Sequence, residues 1–412
     1  MRLRNEYEIL APAGSDESLA AAIRAGADAI YFGVDGLNMR ARAANNFVLD
    51  DLKHIVRLCE KFGVRRYLAV NTIVYDGDLQ LMRRIVDAAR NEGVSAIIAS
   101  DVAVMQYARN IGMEVHLSVQ VNVTNIESLR FFSQFADVVV LARELNLEQV
   151  KYIHERILEE RICGPSGMPV RIEMFCHGAL CMAVSGKCYL SLHEYGASAN
   201  RGDCYQVCRR GYTVKDRESD TELNIDNEYI MSPKDLKTIH FLNKLLDAGV
   251  SVLKIEGRAR GADYVKTVVE CYGEAVEAYC NNEYSQSKIE DWNSRLEKVF
   301  NRGFWNGYYL GQRLGEWNNQ YGNKATEKKL YIGKVIKYFP KISVAEILVE
   351  TNSLSKGDKM LITGASTGAL TTVAEDIRVD DNPVENARKG ERLSIKTQTK
   401  VRPSDKVFKL IV

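Results

Sequence analysis

Along the first two-thirds of the chain, apolar and polar positions repeat one unit: a short apolar run, a polar turn, then an amphipathic stretch. The apolar runs predict strands over residues 8–11, 29–33, 67–71, 96–100, 114–121 and 138–142. Between them, stretches such as LDDLKHIVRLCEKFG and DLQLMRRIVDAARNEG carry a helical period. Gly63, Gly93 and Gly112 stand where these helices should stop, because a left-handed C-terminal cap favours glycine. A seventh strand over 170–175 runs into a stretch without period, and a charge-rich segment follows at 215–227. Then come a helix opened by Pro233 (SPKDLKTIHFLNKLLDAG), an eighth strand over 251–256 and a covering helix over 262–279. Such alternation calls for a parallel sheet with right-handed crossovers. Eight units predict a (β/α)8 TIM-like barrel within residues 1–311, with a cysteine-rich insertion after strand seven. An open doubly wound sheet is the alternative, but no GxGxxG follows the first strand. Residues 285–311 read as helical and then aromatic, and 312–327 as a linker. From 328 to 412, short alternating runs (YIGKVIKYF, SVAEILVE, DKMLITG, ERLSIKT, KVFKLIV) predict a small all-β barrel.

Composition changes this picture little. A net charge of +1 means that no global field steers the protein onto nucleic acid. The start, MRLRNEYEILAPAG, has too short an apolar run for a signal peptide, and no stretch approaches a membrane span. The expectation is a cytoplasmic protein without a membrane partner, whose cysteines stay reduced. Clustered cysteines there point to metal or catalysis. Five of the nine lie in 173–210: Cys176, Cys181, Cys188, Cys204 and Cys208. The dispersed Cys59, Cys163, Cys271 and Cys280 read as small buried hydrophobes.

Chemistry in such a barrel gathers where strands end. Those ends supply Asp35, Asn71, Thr72, Ser100, Asp101, Arg143, Glu144, His177, Lys254, Glu256 and Arg258. On the fifth strand, His116, Ser118, Gln120 and Asn122 alternate and would share one face. From these, His116, Gln120, Arg143 and His177 are the catalytic candidates. Asn71, Asn122, Lys254, Glu256, Arg258 and Arg201 are the substrate-binding candidates. Arg143, Lys254 and Arg258 would form a cationic clamp for a carboxylate, unless Glu144 or Glu256 neutralises them.

Cys181 and Cys188 form CxxxxxxC, and Cys204 and Cys208 form CxxxC. Four thiolates suit an iron–sulfur cluster or a structural zinc. Zinc ribbons prefer CxxC, so the wider spacing favours the larger cluster. A cysteine nucleophile is the third option, but adjacent Cys176 and His177 would face opposite ways on a strand.

Glu173, Phe175, Gly178, Ala179, Leu180, Cys181, Gly186, Cys188, Leu190 and Ser191 match the signature that marks peptidase family U32, the collagenase-like proteins. ILAPAG, HLSVQVNVTN, NRGDCYQVCR, MSPKDL and KIEGR extend the resemblance over residues 7–311. Despite its name, this family looks like one of iron–sulfur proteins that install hydroxyl groups. One branch hydroxylates the tRNA wobble uridine at carbon 5, with prephenate as oxygen donor. Others act on a 23S rRNA cytidine or in ubiquinone synthesis. The resemblance implies a 4Fe-4S cluster on Cys181, Cys188, Cys204 and Cys208, with zinc as the alternative. The tight CxxxC and the single C-terminal β domain resemble the tRNA branch, so tRNA and prephenate are the implied partners. Tyr189, Tyr195, Tyr205 and Tyr212 would then stack on a flipped base, and Arg201, Arg209 and Arg210 would hold phosphates. A peptidase of the same family remains the alternative, although neither HExxH nor GxSxG occurs. An RNA-binding scaffold with a structural metal is the third reading.

Overall fold

Eight apolar runs are buried on both faces, as parallel strands between an inner core and an outer helical layer must be. The computed structural model describes residues 3–42, 46–213, 231–312, 315–319 and 322–412. In chain order the strands are β1 (Glu8–Pro12), β2 (Ala29–Phe32), β3 (Arg65–Val70), β4 (Ala96–Ala99), β5 (Glu114–Leu117), β6 (Val138–Val140), β7 (Arg171–Gly178), β8 (Asp235–Lys237) and β9 (Val250–Ile255). All but β8 form a parallel ring. β9 closes it by pairing with both β7 (Met174↔Leu253) and β1 (Ile9↔Leu253). The (β/α)8 barrel read from the sequence is therefore the observed fold.

Helices α1 (Asp16–Arg24), α2 (Leu52–Phe62), α3 (Leu79–Glu92), α4 (Val102–Asn110), α5 (Ile126–Ser133) and α6 (Leu147–Glu159) fill the crossovers. Side chains of Ser15, Asp101, Asn125 and Asn146 cap α1, α4, α5 and α6 by accepting from first-turn backbone N–H groups. Gly63 and Gly93 end α2 and α3 at φ 68° and 84°, as their positions predict.

Three expectations give way. β5 stops at Leu117, and residues 119–121 coil into a single 3-10 turn that leaves Asn122 left-handed at φ 61°. His116, Ser118, Gln120 and Asn122 therefore do not share a strand face. The stretch opened by Pro233 is not one helix. It makes β8, antiparallel to the end of β7, and then the short α8 (Leu242–Asp247), which follows α7 (Leu190–Tyr195) in the chain. Pairing with β7 overrides its helical period. Cys163 is exposed, whereas Cys59, Cys271 and Cys280 are buried as expected. The charge-rich segment 215–227 lies outside the described residues.

Helix α9 (Ala262–Cys280) covers β9, and α10 (Gln286–Lys298) packs on it before a two-residue strand, β10 (Phe304–Trp305). Residues 328–412 form antiparallel strands around Ile332, Val335, Ile347, Met360, Leu393 and Val407. Their main sheet runs from Gly368–Val373 at one edge to Asn382–Pro383 at the other. This domain docks on α1 through small residues. A Cβ on Gly368 would come 2.7 Å from the Ala21 nitrogen, a clash that only glycine avoids.

Candidate active site

A cavity of about 160 Å³ opens where the barrel strands end. Tyr31 and Ile98 belong to its barrel side, and the cysteine stretch supplies much of its remaining lining. Cys181, Cys188, Cys204 and Cys208 all line it, although Cys204 lies 23 residues beyond Cys181. Two close backbone approaches hold the stretch in place. A Cβ on Gly202 would come 2.3 Å from the Asn38 carbonyl, and one on Gly186 would come 2.9 Å from both Gln120 and Met39. Arg209 staples the stretch by donating to the Leu180 and Pro233 carbonyls, each at 2.6 Å.

Burial pushes the Cys188 thiol up, and the charges of Cys181 and Cys204 add to that. Burial likewise raises Cys208 to about 11, with Cys181, Cys204 and Cys188 contributing against Arg209. Cys188 and Cys208, raised by burial and by the neighbouring cysteines, would ionise more readily beside a cation, so the donor set fits a metal group. Thiolates on a single zinc, bonded at about 2.3 Å, lie about 4 Å apart. Among the described residues, no three His, Cys, Asp or Glu side chains converge to hold one ion. Cys176 is excluded from the set. It is buried and its thiol points to the Lys254 carbonyl at 3.4 Å.

The cationic residues divide into two kinds. Lys254 Nζ lies 2.6 Å from Glu173 Oε1, both deeply buried, so its charge is already neutralised. Neutralisation by Glu144 or Glu256 is the alternative to a free clamp. Glu144 is instead exposed, and Glu256 is taken by Arg40, a residue that motif reasoning missed because it lies in the long loop after β2. Burial opposes ionisation of Glu256, yet Arg40 at 2.7 Å, with Arg260 and Arg143 beyond, holds its carboxyl down at about 2. Arg143 and Arg258 have no carboxylate partner among the described residues. Arg143 lies over the Phe175 ring at 3.7 Å and donates only to the Ala179 carbonyl at 3.1 Å, leaving Nε without a partner. Arg258 is 6% exposed and its Nη1 has no partner. Burial pushes both guanidiniums down, Arg258 to about 10. Arg258, buried, and Arg143, half-buried, thus face one cavity with no carboxylate bonded directly to either.

The pair Lys254–Glu173 yields a stability prediction. Lys254→Gln strands the Glu173 carboxylate in the barrel, at a cost of about 3–5 kcal/mol. A urea titration should show a lower midpoint at unchanged slope.

The other candidates fall in and out of the cavity. Asn71, Gln120, Arg143, Lys254, Glu256 and Arg258 line it. His116 and His177 do not. His116 sits in the barrel beside Tyr67, with Nε2 2.9 Å from Glu114 Oε1. A register shift between Phe175 and His177 turns the His177 ring out of the barrel toward Tyr264, Tyr272 and Phe304. Asn122 is spent on its left-handed turn and stays off the cavity lining. Arg201 pairs with Asp78 at 2.5 Å over the Tyr75 ring, and Arg210 pairs with Glu194. Tyr195 and Tyr205 stack on each other, with ring centroids 4.6 Å apart, while Tyr212 donates to the Val207 carbonyl.

Burial lowers His177 from 6.5 to about 3. The unfolded chain therefore takes up this proton near pH 6.5, but the folded protein only near pH 3. The neutral ring's contribution to stability is complete above pH 6.5 and drains as pH falls toward 3. His177→Gln should remove from this window a slope of up to about 1.4 kcal/mol per pH unit, measured by denaturation at a series of pH values.

A family model described as peptidase family U32 matches residues 14–319. The chain is 62% identical over 405 residues, 98% of each chain, to a Porphyromonas gingivalis protein named collagenase. It is 30% identical to tRNA hydroxylation protein P1 of Bacillus subtilis, over 98% of this chain and 94% of that one. It is also 33% identical to the 23S rRNA 5-hydroxycytidine C2501 synthase of Escherichia coli, over 76% of this chain and 46% of that one.

Proposed function

The chain belongs to peptidase family U32, and from that premise we propose that it is an iron–sulfur-dependent hydroxylase of the tRNA wobble uridine, with prephenate or a similar dicarboxylate as oxygen donor. The observation that carries this reading is the meeting of two features on one cavity: four thiols, and two guanidiniums with no carboxylate bonded directly to either. Cys181, Cys188, Cys204 and Cys208 would hold a 4Fe-4S cluster, which supplies electron transfer when bound. The CxxxxxxC and CxxxC spacings, wider than the CxxC of a zinc ribbon, support this group over zinc. Arg143 and Arg258 bind the carboxylates of the donor, and Phe175 keeps the Arg143 plane in place. Arg40 is paired with Glu256 at 2.7 Å and keeps that carboxylate engaged at the same wall. Formally, one oxygen atom passes from donor to base. The C–H at carbon 5 becomes C–OH, and the donor gains the two electrons that the base loses. End-to-end similarity to a protein named for tRNA hydroxylation supports tRNA over rRNA, since the rRNA relative is matched over less than half its length.

The name of the 62% identical relative favours a second reading, a collagen-degrading peptidase. No histidine lines the cavity, so none of its serines or cysteines has an imidazole base. The two readings separate in one experiment. Protein purified without oxygen is assayed for iron and acid-labile sulfide, and tRNA from a deletion strain is digested to nucleosides. Iron with sulfide, together with loss of hydroxyuridine derivatives, is the expected result. An iron-free protein that cleaves gelatin, with tRNA nucleosides unchanged, removes the hydroxylase reading.

A further inference from the structure

We infer that Gln120 is the residue that selects uridine over cytidine, by presenting a fixed pair of N–H donors to the carbonyl oxygen at carbon 4 of the base. The inference rests on the hydroxylase reading above and adds to it a base-reading residue.

Side-chain amides are ambiguous until something unambiguous orients them. Here the backbone does. The Met39 N–H, which can only donate, points to Asn71 Oδ1 at 3.2 Å. Asn71 Nδ2 must therefore face the other way, and it donates to Ser118 Oγ at 3.2 Å and to Gln120 at 3.3 Å. The Gln120 atom that meets this donor has to be the acceptor, Oε1, which also receives the Ser118 hydroxyl. Ser100 Oγ steadies the hub by donating to the Asn71 carbonyl at 2.8 Å. With its oxygen doubly occupied, Gln120 has only Nε2 left to offer. Among the described residues both side-chain hydrogen bonds of Gln120 run through Oε1 and none through that nitrogen, and the side chain lines the cavity. Gly186 packs against the Gln120 Cγ and limits its movement.

A donor-only group discriminates between the two pyrimidines. Uracil carries an acceptor oxygen at carbon 4, whereas cytosine carries an amino donor there. Donor against donor leaves both groups unpaired in a site partly shielded from water, worth about tenfold to a hundredfold in affinity. Asn71 is a positioning residue in this scheme. It acts by denying Gln120 its rotation.

The test uses the anaerobically purified full chain and two anticodon stem-loop RNAs that differ only in U or C at the modified position. Affinity is read by fluorescence anisotropy without turnover, and kcat/KM by nucleoside analysis with donor acid present. Wild-type protein should prefer U by tenfold or more in both. Gln120→Glu keeps the accepting oxygen but turns a second acceptor to the cavity, and should erase or reverse the preference. Asn71→Ala frees the amide and should narrow the preference. An unchanged U over C ratio in Gln120→Glu overturns the inference. So does a defect confined to the KM of the donor acid, which would make the amide a carboxylate ligand instead. A wild-type protein that hydroxylates neither RNA sinks the hydroxylase reading itself. An active wild type with an unaltered ratio in both variants sinks only the role of Gln120.

Discussion

Cys181→Ala is expected to yield a folded, colourless protein without iron, without acid-labile sulfide and without hydroxylating activity. The same holds for Cys188, Cys204 and Cys208. The four thiols line one cavity, yet Cys181 is exposed and the others are only partly buried. None of them is a core residue whose loss would open a void in the barrel. Thermal unfolding followed by circular dichroism should therefore change little beyond the stabilisation that the bound group provides. Cys176→Ala is the contrasting control. Its sulfur is fully buried and faces a backbone carbonyl, so the variant should lose stability but keep its iron. Stoichiometric zinc in place of iron in the wild type, or full activity in Cys181→Ala, would overturn the cluster assignment.

Arg143→Gln and Arg258→Gln should each raise the KM for the dicarboxylate by about tenfold to a hundredfold, since a hydrogen bond to a charged group is worth about 1.5–3 kcal/mol. The double variant should lose dependence on the acid altogether. The same substitutions should not destabilise the free protein. Arg258 is buried without a counter-ion, a cost that the fold bears when the cavity holds no anion. Arg258→Gln should therefore melt at or above the wild-type temperature while activity falls, a trade typical of binding sites. Lys254→Gln should do the reverse, because its partner Glu173 is left charged and alone. Measuring both KM and melting temperature for the three variants separates an anion receptor from a structural ion pair. An unchanged KM in the arginine variants excludes them from donor binding.

Reading the chain without coordinates went furthest where the signal was local. The alternation of buried runs and amphipathic helices identified all eight barrel strands, because burial on both faces leaves few other ways to write a strand. Capping glycines marked helix ends for an equally local reason, the steric demand of a positive φ. The cysteine spacing singled out four thiols that the fold does bring to one cavity. Errors came where a strand ended earlier than its polar alternation implied, as after Leu117, and where a paired neighbour overrode a helical period, as at Asp235–Lys237.

The sequence by itself determined the barrel, its closing helical layer and the chemical types available at its mouth, since these follow from periodicity and from residue identity. Tertiary structure alone decided which charges are spent. Lys254, Arg143 and Arg258 look equivalent as letters, but only the barrel's closure brings Glu173 against Lys254 and leaves the two arginines unanswered. It also decided which way His177 turns and that Arg40, far off in the chain, meets Glu256. The physical reason is the same in each case. Electrostatic pairing depends on distances across the barrel, between residues that lie tens to hundreds of positions apart, and no local pattern encodes them.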